Sequence, residues 1–473
     1  MDTHDGIFWQ PNRTWAHFDR IDPPKRSAVD RVADFHEIYS LYDEQTAREQ
    51  ASRCIQCPMP SCVEECPLHN RIPEWLAATA EGRFIEAARL SRATSNMPEI
   101  CSRVCPQERL CEGSCILHGR AEPVTIGAIE RFINEYAFQS GVLDEVRAMP
   151  NGARAAVIGS GPGGLAAADE LSALGYAVTV LECQNLPGGL LVNGIPSFKL
   201  EKSVVARRIA ILERRGVEFR LECALGKDVS LGDLRRDYAA VFLAFGAQQA
   251  KPLGIPGEHL SGVIHALPFL IQKNVAYPVL DMPPIDVAGK RVLVLGGGDT
   301  AMDCLRTAVR SGASAAICLY RRDLANMPGS RKEYANALEE GAEFRFLTNP
   351  TALEGNESGA VVRVRCVRME LGTADASGRR KPQPVPDSES TVEADWVIGA
   401  YGFDPVPFPP ESDLAAVKTN SWGGIVVDAN QMTSVPGVFA GGDSVRGPSL
   451  VVHAVRDARV AVAGIHRYLE CGK

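Results

Sequence analysis

Apolar positions recur along this chain with two different rhythms, and the change of rhythm divides it. Up to about residue 150 the spacing is helical. DEQTAREQASR (43–53) and IPEWLAATAEGRFIEAARLSRAT (72–94) predict helices, and in VTIGAIERFINEYAFQSG (124–141) Ile126, Ile129, Phe132, Ile133 and Tyr136 form one apolar stripe. From EVRAMPNGARAAVIGSGPGG (145–164) the pattern becomes a turn-rich linker, a short continuous apolar run and a glycine-rich loop, and DVAGKRVLVLGGGDTAMD (286–303) repeats the run and the loop. Strand, glycine loop and helix, used twice, predict two nucleotide-binding units behind a helical front unit. GTADASGRRKPQPVPDSES (372–390), rich in Gly, Pro and Ser, reads as a hairpin or surface loop.

Composition narrows the class. With 473 residues, 45% hydrophobic and 23% charged, the chain suits a soluble globular protein of several domains. No apolar run approaches the roughly 20 residues that span a bilayer. The opening MDTHDGIFWQPNRTW lacks a basic run followed by an apolar stretch, so no secretory signal is read and the cytoplasm is the expected compartment. A net charge of −8 leaves no basic surface for nucleic acid.

Cysteine usage changes the picture most, because disulfides are rare in a reducing compartment. Of 14 cysteines, six are scattered (Cys183, Cys223, Cys304, Cys318, Cys366, Cys471) and read as small buried hydrophobes. The other eight lie between Cys54 and Cys115. CIQCPMPSCVEECP (54–67) has the form C-x2-C-x4-C-x3-C-P, close to the ferredoxin run, and CSRVCPQERLCEGSC supplies Cys101, Cys105, Cys111 and Cys115. Two sets of four thiolates point to iron–sulfur clusters. Structural zinc is the alternative, but the C-x2-C spacing it favours occurs once only.

In the first glycine loop Gly159, Gly161 and Gly164 fit G-x-G-x-x-G between a strand and a helix, and Glu182 ends the next strand. The glycines give a tight turn, backbone approach to a pyrophosphate and close helix packing, while the acid accepts from a ribose hydroxyl. In the second loop Gly296 and Gly298 keep the first two positions and Ala301 takes the third. Its next strand ends in Arg321 and Arg322, which favour a 2′-phosphate and hence NADP over NAD. SRKE (330–333) reads as a capping box.

Together these stretches, with GGLLVNGIPSFKL, YRRDLANMPGSRKE and SVPGVFAGGDSVRGPSLVVHAVRDAR, resemble the small (beta) subunit family of NADPH-dependent glutamate synthase over nearly the whole chain. The same module is similar to the N-terminal half of dihydropyrimidine dehydrogenase and to the large subunit of NADH-dependent ferredoxin:NADP oxidoreductase. The resemblance implies an α/β protein: a helical domain with two 4Fe-4S clusters (1–150), an FAD-binding domain (151–288), an NADP-binding domain interrupting it (289–402) and the rest of the FAD domain (403–473). It implies FAD on the first loop and NADPH on the second, Gly442 and Asp443 beside the flavin ribityl and phosphate, and a helix starting near Ser449 and Leu450 close to the flavin ring. Gly188, Gly189 and Lys199 are expected on the other wall of the flavin pocket. Cys54, Cys57, Cys62 and Cys115 would hold one cluster. Cys66, Cys105 and Cys111 would hold the other with Glu130, for which the plain reading of the thiols substitutes Cys101.

The expected activity is passage of electrons from NADPH through FAD and the clusters, with no residue needed for acid–base catalysis. The partner is the glutamate synthase large subunit, another oxidoreductase subunit or ferredoxin. The loop CPQERLCEGSC is longer than the small-subunit pattern and looks more like the other two family members, which leaves the acceptor open. A dithiol reductase is disfavoured because the nucleotide units contain no C-x-x-C, and a cofactor-bound scaffold or sensor is the rival from another class.

Overall fold

A computed structural model describes residues 14–141, 148–275, 283–374 and 380–471. The amino-terminal residues read for an export signal, part of the linker after residue 141 and the tip of the expected hairpin lie outside them. So does the side chain of Cys471.

The front unit is helical, as the periodicity predicts. Glu44–Ser52 starts at Asp43, whose carboxylate accepts from the Thr46 amide. The stretch 72–94 forms two helices, Ile72–Ala80 and Phe84–Thr94. Gly82 separates them at φ 78°, a left-handed conformation that ends the first. Ile126–Gln139 buries Ile126, Ile129, Phe132 and Ile133 against Trp75, Leu76 and Phe84, while Tyr136 is half-buried. Cys54, Cys62, Cys111 and Cys115 pack on the rim of this core, and Cys66 touches both it and the core of the next unit.

Two five-stranded sheets follow, and every pairing within them is parallel. In the first, Arg154–Ile158 is central, Ala177–Leu181 and Glu218–Arg220 lie to one side, and Ala240–Leu243 and the late strand Val438–Ala440 lie to the other. The second repeats that plan around Arg291–Leu295, with Ala315–Tyr320 and Glu343–Phe346 on one side and Trp396–Gly399 and Val263–His265 on the other. The central strands are buried after their first residue, because helices cover both faces of a parallel sheet.

One boundary departs from the sequence reading, and the expected hairpin is part of a larger sheet. The second sheet takes its edge from Val263–His265 and the following helix Ala266–Asn274, so the expected boundary at 289 falls inside this unit. The proline-rich stretch is a hairpin of long strands, Val361–Ala374 and Arg380–Glu393, completed by Thr348–Gly355 into an antiparallel sheet. Pro382, Pro384 and Pro386 sit on its outer strand, where a missing amide costs no ladder bond. None of the described helices is long and apolar enough to cross a membrane.

Candidate functional site

Each glycine of the first loop has its own constraint. Gly159 has φ 95°, and a Cβ there would lie 2.6 Å from the Ala244 carbonyl oxygen. Gly161 faces open space, while a Cβ on Gly164 would sit 1.9 Å from the Gly159 carbonyl oxygen. Glu182, 5% exposed, accepts from the Ser160 amide (2.9 Å), the Ser160 hydroxyl (2.5 Å) and the Gln184 amide (2.9 Å). The acid therefore braces the loop from inside. Gly188 and Gly189, at φ 121° and 51°, bring the next segment so close that a Cβ on Gly189 would be 2.7 Å from the Gly161 Cα.

The late strand Val438–Ala440 delivers Gly442 and Asp443 to the same place. The Gly442 amide donates to the buried Asp457 carboxylate at 3.1 Å, which Arg446 also grips at 2.7 Å. Asp443 accepts from the Ser449 amide at 3.1 Å, and burial pushes its carboxyl up to about 7. The long helix Val451–Cys471 begins just beyond Ser449 and Leu450, with the Ser449 hydroxyl 2.7 Å from His453 Nδ1.

In the second loop Gly296 has φ 140° and would meet the Ala400 carbonyl with a Cβ, Gly298 faces open space, and the buried Ala301 carries its Cβ without conflict. Asp299 opens the helix Asp299–Arg310; it accepts from the Ser330 amide at 2.8 Å and pairs with Arg109 of the front unit at 3.3 Å. The expected capping box is half formed. Ser330 accepts from the Glu333 amide at 3.4 Å, but the Glu333 carboxylate turns to Arg306 at 2.6 Å instead of back to Ser330.

One cavity of about 970 Å³ joins the two loops. Gly159, Gly161, Glu182, Gly189, Lys199, Gly442, Asp443, Ser449 and Leu450 line it from the first unit, and Asp299 and Asp303 from the second. Cys105 and Gln107 line it from the front unit. Gly164, Gly188, Gly296 and Ala301 stand behind these walls as packing and turn positions, while Gly298 is open at the start of Asp299–Arg310 beside the lining residue Asp299. Arg321 and Arg322 follow the end of Ala315–Tyr320 and are not among the lining residues. Arg321 is exposed, and the buried Arg322 Nε has no hydrogen-bond partner. Lys199 is no surface lysine: its Nζ donates to Asp303 at 2.9 Å.

The thiols sort into two groups. Cys54, Cys57, Cys62 and Cys115 are electrostatic neighbours, and burial followed by the others' charge pushes Cys54 and Cys62 up to about 12. Cys66, Cys101, Cys105, Cys111 and Glu130 surround a second void of about 40 Å³. Burial raises Cys66 to about 11, against the Asn70 and Leu68 amides that donate to its sulfur. The Cys105 thiol is raised well above its ordinary value, first by its hydrogen bond to Cys101 and then by burial. Burial lifts Glu130 to about 7, and its Oε1 accepts from Asn70 and from the Ser91 hydroxyl, each at 2.9 Å. Glu130 and Cys101, the rival ligands, thus face the same void. Among the described residues no three His, Cys, Asp or Glu side chains converge on a point that could grip a single metal ion. Cys105 lines both voids, so the second thiol group abuts the cleft between the glycine loops.

The donor sets fit the groups that the sequence implies. Soft thiols gathered in this way, of which Cys54, Cys57, Cys62, Cys66, Cys105 and Cys111 are disfavoured as thiolates by burial and by neighbouring charge, are what a cationic iron core relieves. Sequence reasoning missed Asp299 and Asp303 and the salt bridges they make. The signal was present as charge at 299, 303, 306 and 310, one face of one helix.

Residues 31–142 match the family model of dihydropyrimidine dehydrogenase domain II, 4Fe-4S cluster, and residues 153–458 match pyridine nucleotide-disulphide oxidoreductase. Fold and site thus define an iron–sulfur pyridine-nucleotide oxidoreductase. The chain is 48% identical to the glutamate synthase [NADPH] small chain of Azospirillum brasilense over 94% of each, and 46% identical to the putative oxidoreductase AegA of Escherichia coli (strain K12), covering 95% of this chain and 70% of that one. It belongs to the glutamate synthase small-chain family. Mycobacterium tuberculosis FprA in complex with NADPH shares the fold, with TM-score 0.58 and 24% identity over 68% of this chain and 85% of that one.

Proposed function

We propose that this chain is the electron-input subunit of a glutamate synthase, holding FAD at the first glycine loop and NADPH at the second. When bound, FAD accepts hydride from NADPH, and two 4Fe-4S clusters carry the electrons away singly. The chain's own work is placement. Gly159 and Gly161 let a pyrophosphate approach the start of Pro162–Ala173, and Gly298 does the same at Asp299–Arg310. Arg321 and Arg322 are the candidates to hold a 2′-phosphate, and the unpartnered Arg322 Nε supports that role. The N-terminus of Val451–Cys471 favours negative charge on a flavin ring beside it.

Cys54, Cys57, Cys62 and Cys115 are assigned to one cluster, and Cys66, Cys105, Cys111 and Glu130 to the other. Four thiols and a carboxylate set around one void suit a polynuclear core better than one zinc ion. The observation that carries this reading is Cys105, common to the nucleotide cleft and the second thiol void, which gives electrons a short way out.

Anaerobically purified protein should contain roughly eight iron per chain. Glu130→Ala should alter one cluster's EPR signal while Cys101→Ala leaves both; zinc in place of iron, or the reverse mutant pattern, overturns the assignment. Likeness to AegA nearly equal to that to the small chain favours a second reading, in which another oxidoreductase takes the electrons. Identification of the stoichiometric partner that copurifies with the native protein decides between them.

A further inference from the structure

The IPSFKL turn of the first unit ends in a plug that enters the second. Lys199 Nζ lies 2.9 Å from Asp303 and 3.7 Å from Glu333, and side-chain exposure is only 14%, 9% and 13% for the three. Burial alone would lower the lysine pKa, but Asp303 and Glu333 outweigh it and raise the value, so the ammonium stays charged. Its neighbour Phe198 is capped by two guanidinium groups of the same helix, Arg306 at 4.3 Å and Arg310 at 4.1 Å. A second clasp lies alongside, where Asn274 Nδ2 of the second unit donates to the Asn193 and Gly194 carbonyls of the first, at 3.0 and 3.1 Å.

Asp303 is one helical turn beyond Asp299, at the start of the helix that the second glycine loop feeds. Whatever fixes Asp303 therefore fixes that loop. Lys199 spends its charge on two carboxylates of the other unit, which leaves it poorly placed to serve as a flavin ligand.

We propose that Lys199 is a positioning residue: it latches helix Asp299–Arg310 to the first nucleotide unit and so sets the separation of the two glycine loops for hydride transfer. The proposal rests on the assignment of FAD and NADPH to those loops. Hydride transfer is steeply sensitive to separation, and a misplacement of about 1 Å costs on the order of 100-fold in rate.

The test is anaerobic stopped-flow reduction of the flavin by NADPH in the holoprotein, compared for wild type, Lys199→Met and Lys199→Arg. Lys199→Met should slow flavin reduction roughly 10- to 100-fold, with flavin content and NADP+ affinity within about threefold of wild type. Amide exchange of residues 299–310 should become faster, and Lys199→Arg should recover most of the rate. Lys199→Met/Asp303→Leu, which leaves no lone buried charge, covers the case in which Lys199→Met does not fold, and the same slowing and faster exchange are expected of it. Unchanged reduction and exchange overturn the latch. Loss of flavin or of NADP+ binding in step with the rate also overturns it, in favour of a direct ligand. Wild-type flavin that NADPH does not reduce would instead sink the cofactor assignment.

Discussion

The two nucleotide units share one parallel-sheet plan and one loop design, yet the helices behind their glycine loops have opposite surfaces. Pro162–Ala173 is mostly glycine, alanine and leucine and is buried along most of its length beneath the long helix Val451–Cys471, with Asp169 and Glu170 as its only charges, both paired within its own unit. Asp299–Arg310 carries Asp299, Asp303, Arg306 and Arg310 along one face, and those charges meet Arg109 of the front unit, Lys199 of the first nucleotide unit, and Glu333 and Glu340 of its own. The first helix is thus seated mainly by apolar packing, to which front-unit residues such as Met97 and Ile100 contribute, whereas the second is held by ion pairs to its neighbours. Burying the first helix in apolar contact makes a permanent seat. Joining the second by ion pairs fixes a direction, because charge pairs are specific in geometry where apolar contact is not.

The third glycine position tests this contrast most severely. Gly164→Ala places a methyl 1.9 Å from the Gly159 carbonyl oxygen, and both are backbone-bound inside a packed seat. A cost of about 3 kcal/mol or more is expected, read as a lowered unfolding midpoint and lost flavin. At the same position of the second loop the chain already has Ala301, and Ala301→Gly should cost only about 1 kcal/mol. Equal effects at the two positions would break the view that the loops are packed differently.

Much of this architecture was legible beforehand. The 3.6-residue stripe of Ile126–Gln139 and both strand–glycine–helix units stand where periodicity and loop chemistry put them. Val263–His265 was not legible, because three half-buried residues carry no strand pattern and their partner Trp396–Gly399 lies more than a hundred residues away. The antiparallel sheet was legible only in part, as a hairpin or loop: Pro382, Pro384 and Pro386 disqualify a central strand but not an outer one. The thiol groups could be counted from the sequence, but which of them share a void with Glu130 depends on where helix Ile126–Gln139 presents that side chain. The salt bridges of Lys199 were not legible because its partners come from another unit.

A smaller effect sharpens the contrast at the ends of the second strands. The first unit ends there in Glu182, turned inward to Ser160, and the second in Arg321 and Arg322. Alanine at both arginines should lower the NADPH/NADH ratio of kcat/KM about 100-fold, the loss of one or two charge-assisted hydrogen bonds to a phosphate. Protein stability should change less than this ratio, since Arg321 is exposed and Arg322 is half-buried. An unchanged ratio would remove the 2′-phosphate from this strand end.

The smallest effect concerns the edge strand over each pocket. The first unit leads from Val438–Ala440 into Asp443, whereas Val263–His265 of the second runs into Ala266 with no acid. Burial lifts the Asp443 carboxyl from its ordinary 3.8 to about 7, against the Ser449 amide and Arg446. Between those values the folded chain holds a proton that the unfolded chain has released. Folding stability from this group is therefore greatest below pH 4, declines as pH rises, and levels off above about 8. Flavin-free wild-type protein should lose about 1 kcal/mol more stability between pH 6 and 8 than Asp443→Asn, measured by denaturant unfolding at each pH. Parallel profiles would mean that Asp443 titrates as an ordinary surface acid, and that the two units do not differ at this edge.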